Sequence, residues 1–212
     1  MKPLRIALTK GRLEKDTVSL LESAGYDCTA VREKGRRLIL PIGNGEIEVV
    51  LAKAADVITY VENGVCDLGV VGKDTLLEEN RDITEILDLG FGKCRMCVCV
   101  KKGEGESYLN KKDLRVATKY PHIAKSYFDS IHKDCTIIKL NGSVELGPIV
   151  GLSDVIVDIV ESGRTLKENG LEPATVIADL SCRLVCNNAS LKTKYNEISN
   201  IVSGFENILK EN

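Results

Sequence analysis

A polar turn that follows an apolar strand is the part of this sequence best suited to chemistry. Residues 154–160 predict a β-strand, which runs into Glu161, Ser162, Gly163, Arg164 and Thr165. Where a helix begins, backbone N–H groups and the hydroxyls of Ser162 and Thr165 can converge on a phosphate. Gly163 lets the main chain approach that phosphate closely. The carboxylate of Asp158 can accept hydrogen bonds from vicinal ribose hydroxyls. These residues predict a sugar-phosphate site; the alternative is an ordinary helix N-cap with Asp158 at a strand end.

The composition is that of an ordinary globular protein without a nucleic-acid partner. The chain has 212 residues, of which 43% are hydrophobic and 28% charged. Its 31 acidic and 29 basic side chains give a net charge of -2, so it has no broad cationic field for DNA or RNA. Trp is absent and aromatic residues make up 4%, which argues against base-stacking platforms.

The sequence also predicts a cytoplasmic protein. No apolar run approaches the roughly 20 residues needed to span a bilayer, and the apolar stretch at residues 4–8 is too short for a signal peptide. The eight cysteines are therefore expected to be reduced thiols, with disulfides as the alternative.

Strand and helix patterns alternate along the chain and predict two α/β lobes with a central cleft, where ligands commonly bind. A glycine-rich segment at residues 90–92 marks a boundary, so we place residues 1–92 and 180–212 in one lobe and residues 93–179 in the other. Within them we expect strands at residues 36–42 and 175–186, with a hairpin turn at Gly43-Asn44-Gly45. An amphipathic C-terminal helix presents one apolar face, formed by Tyr195, Ile198, Ile201, Val202, Phe205 and Ile208.

Five ordered blocks resemble the ATP phosphoribosyltransferase family over nearly the whole chain. They are residues 8–13, 67–74, 115–121, 142–166 and 181–185. The block at 154–166 resembles the family's phosphoribosyl-pyrophosphate loop. Gly147 and Ser153 stand where alanines are expected, and Cys182 and Cys186 replace commoner residues.

The resemblance implies the fold of type II periplasmic binding proteins and transfer of 5-phosphoribosyl from phosphoribosyl pyrophosphate to N1 of the ATP adenine. This is the first step of histidine biosynthesis, with Mg²⁺ expected on the pyrophosphate and no metal assigned to protein side chains. The chain ends soon after the C-terminal helix, as in the family's short form, which implies a hetero-oligomer with a regulatory subunit similar to histidyl-tRNA synthetase. The alternative from another class is a non-catalytic two-lobed protein that binds a small ligand.

Roles carried over from the family fall into three groups. The donor, phosphoribosyl pyrophosphate, is assigned to Glu145, Asp158, Glu161, Ser162, Gly163, Arg164 and Thr165. The catalytic cations that face the pyrophosphate are Arg12, Arg36 and Lys10, although any arginine taken alone is more often a solvated surface cation. ATP is assigned, on weaker grounds, to Gly11, Lys73, Asp74, Lys119 and Tyr120.

Two further patterns in the sequence could indicate metal binding, a set of four cysteines and a pair of histidines. Cys94, Cys97, Cys182 and Cys186 could supply four thiolates if their segments form neighbouring strands, but their apolar settings favour buried structural thiols. His122 and His132 lie ten residues apart, which is not the i, i+4 spacing of a helical metal pair.

Overall fold

The structure is a computed structural model and describes residues 3–211. Its strands are β1 Leu4–Thr9, β2 Ile39–Ile42, β3 Ile47–Ala52, β4 Leu68–Gly72, β5 Thr84–Asp88, β6 Cys94–Lys101, β7 Leu114–Thr118, β8 Cys135–Lys139, β9 Val155–Val160, β10 Leu171–Leu180 and β11 Cys182–Cys186. Its α-helices are α1 Arg12–Ser23, α2 Thr29–Arg32, α3 Ala54–Glu62, α4 Lys73–Glu79, α5 Pro121–Ser130, α6 Leu146–Ile149, α7 Arg164–Glu168, α8 Ser190–Thr193 and α9 Tyr195–Glu211.

The chain divides into two compact units, each built on a mixed sheet, which confirms the prediction of two α/β lobes. Unit 1 comprises residues 1–92 and 181–212, and unit 2 comprises residues 93–180. Leu180, which the sequence placed in the first lobe, belongs to unit 2 because it pairs with Cys94 on β6.

The sheet of unit 1 has the strand order β2-β3-β1-β4-β11-β5. Strand β1 is parallel to both β3 and β4, so the carboxyl ends of these three strands lie at one edge. Helix α9 covers this sheet with Ile198, Ile201 and Phe205, each at most 2% exposed. Tyr195 is 63% exposed, so its expected place on the apolar face is wrong; it is the first residue of the helix. No helix in residues 3–211 is long and apolar enough to cross a membrane.

The sheet of unit 2 has the order β10-β6-β9-β7-β8. Residues 96–100 of β6 are completely buried, which explains the unbroken apolar run there. Strands β7 and β9 are parallel, with Thr118 beside Val157. The residues that follow this pair, Lys119 and Asp158, therefore lie at the same end of the sheet.

Two strand predictions need correction. The strand expected at residues 36–42 begins only at Ile39, because residues 36–38 are exposed and form a turn and connection. The strand expected at residues 175–186 is two strands, β10 in unit 2 and β11 in unit 1. The run of strand-forming residues is nearly continuous. The two strands differ in their pairing partners, because β10 pairs with β6 whereas β11 pairs with β4 and β5. The hairpin turn at residues 43–45 is confirmed, since β2 and β3 pair as antiparallel strands.

Candidate functional site

The polar turn after β9 has the backbone that a phosphate loop requires. Gly163 precedes α7 with φ 72° and ψ 5°, a left-handed conformation that is strained for residues with a side chain. The Arg164 backbone N–H points toward Ser162 Oγ, with 3.4 Å between the two atoms. Ser162, Arg164 and Thr165 are all exposed, so their polar groups are accessible to a ligand. The first N–H groups of α7 have no partner within the helix, as at every helix start.

This turn encloses a hollow of about 260 Å³, here called the donor hollow. All seven donor-binding residues predicted from the sequence line it, including Glu145 at the start of α6 and Asp158 on β9. The structure thus brings together residues that lie up to 20 positions apart.

Asp158 has an unusual electrostatic setting. Burial raises the pKa of its carboxyl, and the negative charge of Glu145 acts in the same direction. The Ile159 backbone N–H and the ammonium of Lys119 oppose this shift. Two carboxyl groups at close range and a cation beside them form an arrangement suited to binding sugar hydroxyls.

Thr118 fixes the neighbouring loop of unit 2. Its buried hydroxyl donates to the Val157 carbonyl at 2.6 Å and accepts from the Tyr120 backbone N–H at 2.8 Å. Lys119 Nζ lies 5.9 Å from the centre of the Tyr120 ring, within range of a cation–π contact. Lys119 and Tyr120, predicted to bind ATP, therefore lie on the sheet edge that carries Asp158.

A second hollow, of about 470 Å³, lies in unit 1 and is here called the cationic hollow. It forms after β1, where Lys10 donates its backbone N–H to the Ala52 carbonyl at 2.9 Å and Gly11 turns the chain into α1. Gly11 adopts φ 109° and ψ -135°, which only glycine tolerates well. Lys10, Gly11 and Arg36 line this hollow as a group. Its lining does not include Arg12, the exposed first residue of α1.

Three further cations line this hollow: Lys15, Lys34 and Arg37. With Lys10 and Arg36 they surround a single carboxylate, that of Glu14, which is only 7% exposed and forms an ion pair with Lys34. The excess of positive charge in this lining favours an anionic ligand. Sequence reasoning missed these three residues, although residues 34–37, Lys-Gly-Arg-Arg, form a dense basic cluster that could have indicated Lys34 and Arg37.

Lys73 and Asp74, also predicted to bind ATP, open α4 in unit 1. The Lys73 ammonium forms an ion pair with Glu85, and its backbone N–H donates to the Ser181 carbonyl. Arg183 holds the same Glu85 at 3.1 Å, so Lys73 belongs to a cross-strand ionic network. A ligand phosphate would have to compete with Glu85 for Lys73.

The four cysteines considered for zinc do not form neighbouring strands. Strand β6, with Cys94 and Cys97, pairs with β9 and β10, whereas β11, with Cys182 and Cys186, pairs with β4 and β5. Burial raises the pKa of Cys182 to about 12 and of Cys186 to about 11, which disfavours the thiolates that zinc requires. Across residues 3–211 no group of three or more candidate metal-ligating side chains occurs.

Comparison with solved structures identifies the fold. The chain resembles the periplasmic aliphatic sulphonate binding protein SsuA from Escherichia coli with a TM-score of 0.61 at 12% identity, covering 99% of this chain and 73% of that one. The fold is therefore that of two-lobed type II periplasmic binding proteins.

The sequence comparisons then identify the family. Residues 53–207 match the HisG family, ATP phosphoribosyltransferase. An ATP phosphoribosyltransferase from Clostridium kluyveri is 52% identical over 95% of this chain and 92% of its own length, and one from Bacillus cereus is 50% identical over 97% of both. A chain in the ATP phosphoribosyl transferase (HisG:HisZ) complex from Thermotoga maritima is 33% identical, with a TM-score of 0.83 and coverage of 99% and 100%. This chain belongs to the ATP phosphoribosyltransferase family.

Proposed function

We propose that this chain is the catalytic subunit of a cytoplasmic ATP phosphoribosyltransferase. It transfers the 5-phosphoribosyl group from phosphoribosyl pyrophosphate to N1 of the ATP adenine, releases pyrophosphate and so begins histidine biosynthesis. The observation that carries the proposal is the donor hollow, in which Asp158 and the loop at residues 161–165 converge in a chain of this family. Six of the eight cysteines are buried thiols, in keeping with a reducing compartment.

The donor hollow supplies two kinds of contact to the phosphoribosyl group. The hydroxyls of Ser162 and Thr165 and the backbone at Gly163 are donors for the 5-phosphate. The carboxylates of Asp158 and Glu145 are acceptors for the ribose hydroxyls. Holding the sugar at both ends fixes C1′ relative to its attacker, and such positioning contributes much of the rate in a bimolecular substitution.

The cationic hollow supplies the positive charge that the reaction needs. As the bond between C1′ and the pyrophosphate oxygen breaks, negative charge grows on the leaving group, and fixed cations such as Lys10, Arg36 and Lys34 stabilise it. Glu14 holds Lys34 in place and limits the net charge.

The bond changes require no covalent enzyme intermediate. The lone pair of adenine N1 forms the new bond to C1′, and the bonding electrons of the old C–O bond leave with pyrophosphate. Mg²⁺ bound to the pyrophosphate would neutralise part of its charge. Adenine N1 carries no proton to remove at neutral pH, so no histidine base is needed.

One of the residues assigned to ATP is reassigned because of its position. We assign Lys119 to the donor, because its charge acts on Asp158. Lys73 and Asp74 stay assigned to ATP, with Lys73 exchanging Glu85 for a phosphate oxygen on binding.

We further propose that the chain works with a separate regulatory subunit similar to histidyl-tRNA synthetase. The solved neighbour from Thermotoga maritima is a HisG:HisZ complex, and the matched chain is covered completely. Sensitivity to histidine would then reside in the partner.

The test is the near-UV absorbance of the purified chain mixed with ATP, phosphoribosyl pyrophosphate and Mg²⁺, with pyrophosphatase present to draw the reaction forward. A rise that needs both substrates is expected, either with the chain alone or after addition of the regulatory subunit from the same source. Absence of a rise in both preparations, together with failure to bind the donor, would contradict the proposed function.

A further inference from the structure

A threonine followed by a lysine stands at the end of the same kind of strand in each unit. In unit 1, Thr9 ends β1, which lies between its parallel neighbours β3 and β4, and Lys10 follows. In unit 2, Thr118 ends β7, which lies between its parallel neighbours β8 and β9, and Lys119 follows. The next helix, α1 or α5, begins three residues after the threonine in both cases. The two units therefore share one arrangement at the carboxyl end of this strand.

The threonine hydroxyl makes the same type of hydrogen bond in both units. Thr9 Oγ1 donates to the Val70 carbonyl on β4 at 2.8 Å. Thr118 Oγ1 donates to the Val157 carbonyl on β9 at 2.6 Å. Each bond ties the last residue of the strand to a neighbouring strand, so the backbone that carries the following lysine is fixed to the sheet.

A second hydrogen bond holds the backbone at each lysine. The Lys10 backbone N–H donates to the Ala52 carbonyl on β3 at 2.9 Å. In unit 2 the Tyr120 backbone N–H donates to Thr118 Oγ1 at 2.8 Å, so this one hydroxyl holds the chain on both sides of Lys119. A lysine side chain is long and flexible, and its ammonium group can be directed only when the backbone that carries it is fixed.

Each lysine acts on a hollow that the proposed function assigns to a substrate group. Lys10 lines the cationic hollow, and the charge of Lys119 acts on Asp158 in the donor hollow. The threonines themselves belong to neither lining, and Thr118 is completely buried. Their hydroxyls therefore act on a ligand through the residues that they hold.

We propose that Thr9 and Thr118 are corresponding positioning residues, whose hydroxyls direct Lys10 toward pyrophosphate and Lys119 toward the phosphoribosyl group. This inference rests on the proposed function, from which it takes the ligand of each hollow. It adds that one strand-end device, present once in each unit, places one cation for each half of the donor.

The test is calorimetric titration of the full chain with pyrophosphate and with ribose 5-phosphate. Thr9→Val keeps the side-chain shape and removes the hydroxyl, so it is expected to weaken pyrophosphate about fivefold and to spare ribose 5-phosphate. Thr118→Val is expected to do the reverse, so each variant is a control for the other. Thr9→Ser and Thr118→Ser keep the hydroxyl and should bind both ligands as the wild type does.

Thr17→Val is the matched control for loss of stability. Thr17 is 1% exposed, and its Oγ1 donates to the Leu13 carbonyl within α1 at 2.6 Å, outside both linings. This variant loses a comparable hydrogen bond and should keep both affinities. The proposal would be overturned if the two strand-end valine variants changed the affinities no more than Thr17→Val, or if the serine variants lost as much affinity as the valine variants.

A ligand-free measurement tests Thr118 separately from the proposed function. The Lys119 ammonium lowers the pKa of Asp158, whereas burial and the charge of Glu145 raise it. The Cys99 thiol on β6 also interacts with Asp158, but burial raises the pKa of this thiol, so it is neutral at neutral pH. Displacing Lys119 should therefore raise the pKa of Asp158.

Carboxyl NMR titration of the chain without ligands measures this pKa. We expect a higher value for Asp158 in Thr118→Val than in the wild type, and the wild-type value in Thr118→Ser and Thr9→Val. The same pKa in Thr118→Val as in the wild type would overturn the positioning of Lys119, whether or not the ligands bind. A raised pKa in a chain that binds neither ligand would support the positioning role and contradict the proposed function.

Discussion

The charged form of Asp158 is disfavoured by its surroundings in the folded chain. Its carboxyl lies in a partly buried position, next to Glu145, where burial raises its pKa. A raised pKa means that the folded protein favours the protonated form, so ionisation of Asp158 lowers the free energy of unfolding as pH rises through this pKa. Retaining such a group is reasonable only if a ligand uses it.

Asp158→Asn is therefore expected to raise the melting temperature of the ligand-free chain at neutral pH, because the amide avoids the cost of a buried charge. The gain should shrink as pH is lowered toward the raised pKa, where wild-type Asp158 becomes protonated. Thermal unfolding across this pH range provides the measurement. A variant that is less stable at neutral pH, or a gain that grows on acidification, would contradict the electrostatic account.

Gly163 is required for its backbone conformation. At φ 72° a Cβ costs about 1–2 kcal/mol, and the strain would distort the loop that we propose to bind the 5-phosphate. Gly163→Ala should weaken binding of phosphoribosyl pyrophosphate about tenfold. Gly170→Ala is the matched control, since Gly170 has φ 70°, follows the same helix and lies outside the donor hollow. Calorimetric titration of both variants should show similar loss of stability and a selective loss of affinity at Gly163; equal affinities would remove Gly163 from the site.

Gly147 and Ser153, which stand where alanines are expected in this family, contact one another. A Cβ on Gly147 would lie 2.6 Å from Ser153 Oγ and 2.9 Å from Ala117 Cβ. Within the described residues the buried Ser153 hydroxyl has no hydrogen-bond partner. The two departures are thus complementary in volume, because the serine hydroxyl occupies space that an alanine methyl at position 147 would need.

This pairing predicts a coupling between the two positions. Gly147→Ala should destabilise the chain by about 1–3 kcal/mol through overpacking, while Ser153→Ala should be neutral or slightly stabilising because an unpaired buried hydroxyl is removed. The double variant should recover part of the loss, since one of the two close contacts is relieved. Urea unfolding of all four proteins measures the coupling, and strictly additive effects would rule it out.

At the scale of elements, short helices depend on single side chains. Asn187 Oδ1 accepts the backbone N–H groups of Ala189 and Ser190 at 3.0 and 2.9 Å, at the start of α8, and its Nδ2 donates to the Val61 carbonyl in α3 at 2.8 Å. This one side chain, 8% exposed, therefore joins two helices of unit 1.

Asn187→Ala is expected to lower the free energy of unfolding by about 1–3 kcal/mol, because it leaves buried donors and an acceptor unpaired. Asn187→Asp should be intermediate, since it keeps the acceptor and loses the donor. Asn63→Ala is the control, as Asn63 is exposed and makes one side-chain contact within its own helix end. A loss no larger than that of the control would show that this junction does not support the fold.

The elements that the sequence predicted well are those with strong local patterns. Strands β1, β7 and β9, helix α5 and the hairpin turn at residues 43–45 have clear periodicity or turn residues. Helices α2 and α6, four residues each, are too short to show a period. The division of residues 171–186 into β10 and β11 depends on distant partners, which local sequence does not encode.

At the scale of the whole molecule, site residues that are close in sequence could be predicted, whereas those brought together only by folding could not. The donor residues were predictable because six of the seven lie within eight consecutive positions around one loop. Lys15, Lys34 and Arg37 were missed because they join Lys10 only through the folding of α1 and the segment before β2.

We propose that the donor hollow of unit 2 binds the phosphoribosyl group and that the cationic hollow of unit 1 binds pyrophosphate. Calorimetric titration with ribose 5-phosphate and with pyrophosphate, on the wild type and on Asp158→Asn and Arg36→Gln, tests it most directly. We expect Asp158→Asn to weaken ribose 5-phosphate about tenfold and spare pyrophosphate, and Arg36→Gln to do the reverse. Loss of both probes in the same variant, or of neither in both, would contradict the account.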